Sequence, residues 1–357
     1  MRAWHRACAL LALAAASVGA APLPTYNVDP DGISVSGVSS GGFMAVQMHV
    51  AYSGTFRKGV GVVAGGAYYC AQDREGQALL KCMDARFHGV PPLSALVSQT
   101  RRWAATGAID PPSNLARGKV WLFTGGRFDG GTHDTTVDWR VVDQLKRYYR
   151  RYVPAANIAY KADLRAEHAM PTKDYGRPCD SAGDPYIADC GFDAAGEMLA
   201  WIYGPLAPGN ARPDAGNIVA FDQSEFIDDP AAHGLWPTGY AYVPARCAAG
   251  ASCRLHVAFH GCKQFPGYAY YDGSIGQVVT IDKRYVLHAG YNRWADTNGI
   301  IVLYPQANAL YFGLHAKTNP NGCWDWWGYD DDNYAVKRGR QMAAVKAMVD
   351  RIRGLRR

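Results

Sequence analysis

The chain has 357 residues, 48% hydrophobic and 19% charged, a globular balance with enough length to bury a large core. Its formal net charge of +6 comes from basic residues spread along the sequence, clustered only at Arg351, Arg353, Arg356 and Arg357. A scattered excess reads as a solvated surface and argues against a nucleic-acid groove.

The first residues, "MRAWHRACALLALAAASVGA", have the form of a secretory signal. Arg2 and Arg6 give a positive start, Leu10 to Val18 an apolar centre, and small residues at 18–21 a cleavage site. The apolar run is shorter than the roughly 20 residues a spanning helix needs. Residues 1–21 are therefore expected to be removed, leaving an exported chain over 22–357 with no membrane span. "DPDGISVSG" leads into a strand at about 33–36. "GFMAVQMHVAYS" is a helix apolar on most faces, so a buried one. "GVGVVAG" (59–65) and "KVWLFTGG" (119–126) are short apolar strands. "TTVDWRVVDQLKRYYRRY" is an amphipathic helix, "NIAYKADL" a strand, and "FDAAGEMLAWIYG" a helix closed by Gly204. "CRLHVAFHG" and "NGIIVLYPQ" are further strands. "YAVKRGRQMAAVKAMVDRIRGL" is a helix with an apolar face at Met342, Val345, Met348 and Ile352. Alternating short apolar strands and helices imply an α/β fold with a largely parallel sheet. No repeat or long linker divides the chain, so one domain over 22–357 is expected.

There are nine cysteines; losing Cys8 with the signal leaves eight, which in an exported protein favours disulfides. Eight cysteines allow about 105 pairings. We take the sequential one: Cys70 with Cys82, Cys179 with Cys190, Cys247 with Cys253, and Cys262 with Cys323. No C-x-x-C and no neighbouring histidine cluster points to zinc, and no metal or other cofactor is expected.

The motif G-x-S-x-G occurs at Gly37-Val38-Ser39-Ser40-Gly41, between a strand and a helix. That is the context of a nucleophile elbow, although a serine in a glycine-rich turn has the same letters. A serine nucleophile needs a base. His168, in the loop after the "NIAYKADL" strand, is the best placed; His133 and His260 compete, while His256 and His49 fall within a strand and a helix and read as structural. The imidazole in turn needs an acid to fix its tautomer. "TGGRFDGGTHDTTVD" offers Asp134, with Asp129 as competitor and Asp138 better suited to capping the next helix. Little chain precedes Ser39 to supply an upstream oxyanion donor. The downstream "LHVAFHGCKQ" ends a strand in His260-Gly261-Cys262 and is the candidate instead, which implies a permuted chain order.

"GVSSGG", "HDTTV", "AEHAMPT", "DCGFDAAGEML", "HGCKQ" and "NPNGCWDWWGY", in that order, resemble the secreted poly(3-hydroxybutyrate) depolymerases whose oxyanion motif follows the triad. The resemblance spans nearly the whole mature chain. It implies a circularly permuted α/β-hydrolase fold and hydrolysis of ester bonds in poly(3-hydroxybutyrate) or its oligomers. It implies Ser39, Asp134 and His168 as triad, the N–H groups of Ser40 and Cys262 as oxyanion hole, and Trp324 and Trp326 as substrate contacts. A monomer acting on polyester or oligoester is expected, without the C-terminal polymer-binding domain of many extracellular members. The Tyr-rich stretches "GYAYYDG" and "ALYFGLH" are either an adsorption face or core. The alternatives are an esterase of the same fold for feruloyl or other polyester substrates, and a secreted polymer-binding protein without catalysis.

Overall fold

The computed structural model describes residues 20–128 and 131–355. The expected signal, 1–21, lies outside the described residues apart from its last two, and Asp129 lies outside them as well.

Eight strands form one sheet: β1 (Val28–Val38), β2 (Gly59–Val63), β3 (Lys119–Phe123), β4 (Ile158–Lys161), β5 (Ile218–Asp222), β6 (Thr238–Tyr242), β7 (Cys253–Phe259) and β8 (Ile300–Tyr304). Their order across the sheet is β5-β6-β8-β7-β1-β2-β3-β4. From β8 to β4 every pairing is parallel; β6 runs against both its neighbours. β1 is longer than the sequence pattern implies. Its first residues are exposed and its register against β7 shifts between Val28 and Ile33, so only the later part is a regular buried strand.

The central strands are buried on both faces, and their side chains divide by alternation. Ile33 and Val35 of β1, with Leu255, Val257 and Phe259 of β7, belong to one core. It also holds the apolar faces of α1 (Ser40–Ala51), α2 (Leu93–Ala105), α3 (Trp139–Tyr149) and α5 (Arg340–Ile352). Ala258 of β7 and Ile300, Val302 and Tyr304 of β8 face the second core, with α4 (Ala194–Tyr203). Every residue of α1 is buried, in keeping with its unbroken apolar sequence. The layers are those of an α/β-hydrolase-like fold.

The last helix starts at Arg340, six residues later than its sequence pattern suggested. The backbone before it is taken by side chains from the core. Gln47 Nε2 donates to the Tyr334 carbonyl, Tyr68 Oη to that of Ala335 and Tyr52 Oη to that of Lys337. Those carbonyls are not left to open a helix.

Two residues of β1 on the side of the second core, Ser34 and Ser36, are not apolar, although Val38 on that side is. Ser34 Oγ lies 2.6 Å from His256 Nδ1 and Ser36 Oγ 2.7 Å from Nε2, and the serines reach on to Tyr203 and Tyr291. His256 is thus a satisfied core histidine. Burial pulls it from the usual 6.5 down to about 3, so the fold holds it neutral. Because the folded value lies below the unfolded one, the stability it confers is present above pH 6.5 and is lost as pH falls toward 3. His256→Gln should destabilise the protein at neutral pH. Its deficit relative to wild type should shrink by about 1.4 kcal/mol per pH unit below about 6.5, measured by urea unfolding. A deficit independent of pH would show that the imidazole is not held neutral.

Candidate active site

Ser39 sits where β1 turns into α1, with φ 56° and ψ −124°. A left-handed φ is costly for a residue with a side chain and is found where function needs it. The turn is held by Ser39 N–H donating to Val63 O (2.9 Å) and by Phe43 N–H donating to Ser39 O (3.0 Å). Two glycines make it sterically possible. A Cβ at Gly37 would stand 2.2 Å from the Gly41 carbonyl oxygen, and one at Gly41 2.3 Å from that of His260. Ser39 is the N-cap of α1, yet its hydroxyl does not cap the helix. It lines a cavity of about 380 Å³ together with His168, Phe43, Tyr186, Trp326 and Trp327.

His168 lies beyond β4 and just before the short strand Met170–Thr172. Asp134 comes from the loop after β3. Both are buried, and His168 Nδ1 is 2.9 Å from Asp134 Oδ2 and 3.1 Å from Oδ1. Asp134 Oδ1 also accepts from the Thr136 and Val137 N–H groups at 2.9 and 2.8 Å, which fixes the carboxylate. With Nδ1 on the carboxylate, Nε2 is the nitrogen left for the cavity. Burial disfavours the imidazolium, but the charge and hydrogen bond of Asp134 and the charge of Glu167 outweigh it and raise His168 above the usual histidine value. Ser39 Oγ and His168 are not hydrogen-bonded to each other in this structure; such contacts often tighten only around a substrate.

The competing residues sit elsewhere. Asp138 caps α3, accepting from the Arg140 N–H at 2.9 Å, and is paired with the Arg140 guanidinium. His49 bonds Tyr149 in the core, and His133 is not among the residues lining the cavity. His260 is buried beneath the loop, its Nε2 accepting from the Ala307 N–H at 3.0 Å; burial pulls it down to about 4. It cannot act as the base from there.

β7 lies directly beside β1, so the loop after it, 260–262, passes over the elbow. A Cβ at Gly261 would be 3.3 Å from the Ser39 Cβ. The Gly261 N–H is not aimed at the cavity; it donates to Gln264 Oε1 at 2.6 Å. The N–H groups of Ser40, in the first turn of α1, and of Cys262 have no acceptor among the described residues. They are the pair available to a developing oxyanion. Gln264 carries the brace further, its Nε2 donating to Pro185 O (3.0 Å) and Tyr186 O (3.1 Å). Sequence reasoning missed this residue, although it stands in the quoted "HGCKQ"; a glutamine in a loop gives no sign of the backbone it will bond.

The disulfides join Cys70 to Cys82, Cys179 to Cys190, Cys247 to Cys253, and Cys262 to Cys323. The last ties the 260–262 loop to the Trp-rich segment. Of that segment, Trp326 lines the cavity and stacks on Phe43 with ring centroids 4.0 Å apart; Trp327 lines it too. Trp324 is a correction to the sequence reading. It is fully buried and does not reach the cavity, because its indole N–H donates to the His260 carbonyl at 3.0 Å from below. It supports the loop. The Tyr-rich stretches split: Tyr270 is buried, whereas Tyr271, Tyr311 and Phe312 are 67%, 64% and 96% exposed. Among the described residues, no group of three or more His, Cys, Asp and Glu side chains is placed to hold a metal. None of their helices is long and apolar enough to cross a membrane.

Two substitutions test this geometry. Asp134→Asn should lower ester turnover by about 10⁴ while leaving the fold intact, since it unsettles the imidazole tautomer. Near wild-type turnover would exclude Asp134 as the partner. Gln264→Ala should lower kcat on the order of 10-fold to 100-fold with KM little changed, because a loosened donor loop fails the transition state more than the ground state. A rise in KM alone would instead make Gln264 part of the binding surface.

No family model matches the chain. A poly(3-hydroxybutyrate) depolymerase from Delftia acidovorans is 51% identical over 353 residues, covering 97% of this chain; the chain spans 65% of that relative's length. A polyhydroxybutyrate depolymerase from Talaromyces funiculosus is 40% identical over 353 residues, covering 96% of each. Among solved structures, a PHB depolymerase (S39A) complexed with an R3HB trimer superposes with TM-score 0.80 at 36% identity. The PHB depolymerase from Penicillium funiculosum superposes with TM-score 0.78 at 37% identity. Each covers 94% of this chain and 100% of its own. On identity sustained along the full length of the Talaromyces relative, the chain belongs to the poly(3-hydroxybutyrate) depolymerase family.

Proposed function

We propose that the protein is a serine esterase that hydrolyses the ester bonds of poly(3-hydroxybutyrate) or its oligomers. One observation carries the reading. Ser39, strained at the elbow tip with its hydroxyl unspent, shares an apolar cavity with an imidazole anchored on a buried carboxylate.

Ser39 Oγ attacks the ester carbonyl carbon while its proton passes to His168 Nε2. The carbonyl oxygen becomes an oxyanion held by the Ser40 and Cys262 N–H groups, and the imidazolium is offset by Asp134. Collapse breaks the ester C–O bond. His168 returns the proton to the leaving alcohol, and an acyl-Ser39 remains. Water, deprotonated by His168, then releases the carboxylic acid and restores the serine. All of these groups come from the chain itself. Phe43, Trp326 and Trp327 give walls suited to an uncharged polyester, and the four disulfides fit an exported protein. Tyr311 and Phe312 lie in a loop closed by the Leu310–Asn319 bridge, and Asn319 lines the cavity. That continuity supports a role in holding polymer near the mouth. We take the protein to act as a monomer, with 22–357 as one catalytic unit.

Ser39→Ala should reduce turnover by about 10⁶, and an organophosphate should label wild type but not the variant. A substrate panel then decides the ester: amorphous granules, crystalline film, soluble hydroxybutyrate oligomers, feruloyl esters and long-chain triglycerides. Hydrolysis confined to the feruloyl esters or triglycerides would overturn the substrate assignment while leaving the nucleophile intact.

A further inference from the structure

The two loops that supply Asp134 and His168 have no covalent tie. They leave neighbouring strands, where Phe123 pairs with Lys161, and then run on separately to the reacting pair. None of the four disulfides joins one loop to the other. Yet the imidazole must meet its carboxylate to within a fraction of an ångström if the tautomer is to be fixed.

A second bridge stands one residue along from the first. Glu167 immediately precedes His168, and Thr135 immediately follows Asp134. Glu167 Oε1 accepts from the Thr135 N–H at 3.0 Å, and Oε2 accepts from the Thr135 hydroxyl at 3.1 Å. Oε2 also accepts from the His168 N–H at 3.0 Å, which pins the backbone of the base itself. On the other side the Glu167 N–H donates to the Cys179 carbonyl at 2.8 Å, so the bridge is anchored in the segment closed by Cys179–Cys190. The Glu167 side chain is buried, and no lysine or arginine pairs with it among the described residues. Among the described residues its carboxylate is held by N–H and O–H donors, and its charge acts on the imidazole.

We infer that Glu167 is a positioning residue that locks the acid loop to the base loop and adds a second negative charge beside the imidazolium formed during turnover. The inference rests on His168 being the base. A carboxylate here does two separable things. Its shape sets the register of Asp134 against His168. Its charge favours protonated His168, together with the larger effect of Asp134 and against the opposing effect of burial. Among the described residues, the Tyr186 ring stands edge-on to the imidazole with centroids 6.3 Å apart, and Glu75 and Lys263 are the charged side chains that line the same cavity, with Ser39. Since turnover needs neutral His168 at the start, the acid limb of kcat/KM reports the balance of these charges.

The test compares wild type, Glu167→Gln, Glu167→Asp and His168→Ala on a soluble hydroxybutyrate oligomer across pH 5–9. NMR titration of the His168 ring follows wild type and the two Glu167 variants. Glu167→Gln removes the charge and turns an amide N–H₂ toward existing donors. Its acid limb and its His168 titration should both move to lower pH, by about one unit, and kcat on the plateau should fall about tenfold with KM little changed. Glu167→Asp keeps the charge on a shorter arm, so it should lose kcat while its acid limb stays near the wild-type position. A role confined to folding would lower activity in both variants without moving either titration, and that result overturns the inference. So does a wild-type plateau in both. Substantial activity in His168→Ala would instead overturn the assignment of the base, a failure distinct from any result at residue 167.

Discussion

The arrangement depends on one close approach. β1 and β7 are neighbours in the sheet, and the backbone leaving each crosses the other where Gly41 meets the carbonyls of Phe259 and His260. No side chain fits at residue 41, since a Cβ would stand 2.4 and 2.3 Å from those two oxygens. The glycine therefore brings the loop 260–262 to Ser39, the proposed nucleophile. It also accounts for how the site tolerates its chain order. β1, which leads to Ser39, comes first and β7, which leads to Cys262, comes late, but adjacency in the sheet is what places the two loops together.

The loop over the elbow is braced from several directions, each by a different kind of bond. Trp324 holds the His260 carbonyl from beneath, Gln264 takes the Gly261 N–H, and the Cys262–Cys323 disulfide fixes the far end. The effect of Gln264 is selective. By occupying the Gly261 N–H it leaves the Cys262 N–H as the donor that remains. Electrostatic stabilisation of an oxyanion has value only if its donors need not reorganise during the reaction, so this rigidity suits the role proposed for the loop. Asp325, between the two tryptophans, extends the same frame. Its buried carboxylate accepts from the N–H groups of Gly328, Tyr329, Asp330 and Asp331 and fixes the bend that turns Trp326 toward Phe43. Burial pushes that carboxyl up to about 7, against the pull of these donors.

Much of this was legible in the sequence, and for a consistent reason. The elbow, the buried helix and the central strands are encoded by near neighbours: small residues at the turn, apolar runs of strand length, a serine between them. Asp138 could be set aside as a cap because its spacing to the helix is local. The failures are of long range. Trp324 and Trp326 stand two positions apart with the same side chain, and only the packing shows that one bears on the loop while the other faces the cavity. The late start of the last helix depends on Gln47, Tyr52 and Tyr68, far away in the chain. Glu167 and Gln264 look like ordinary polar loop residues until their backbone partners are known. The polar lining of β1 at Ser34 and Ser36 had a local sign, alternation with Ile33 and Val35, but its partner His256 is supplied by β7.

The distance along the chain between β1 and β7 has a consequence for how the protein is made. Val35 pairs with Val60 on one side and with Val257 on the other. The first pairing closes a short loop; the second must wait for most of the polypeptide and meet a far larger entropic cost of closure. Until β7 arrives, β1 presents a bare edge, open to pairing with the wrong chain. Before then Gly41 has nothing to lean on, and the loop proposed to bear the second oxyanion donor is missing. On the proposed assignment of the site, catalytic competence is a late event in folding, reached when the centre of the sheet closes.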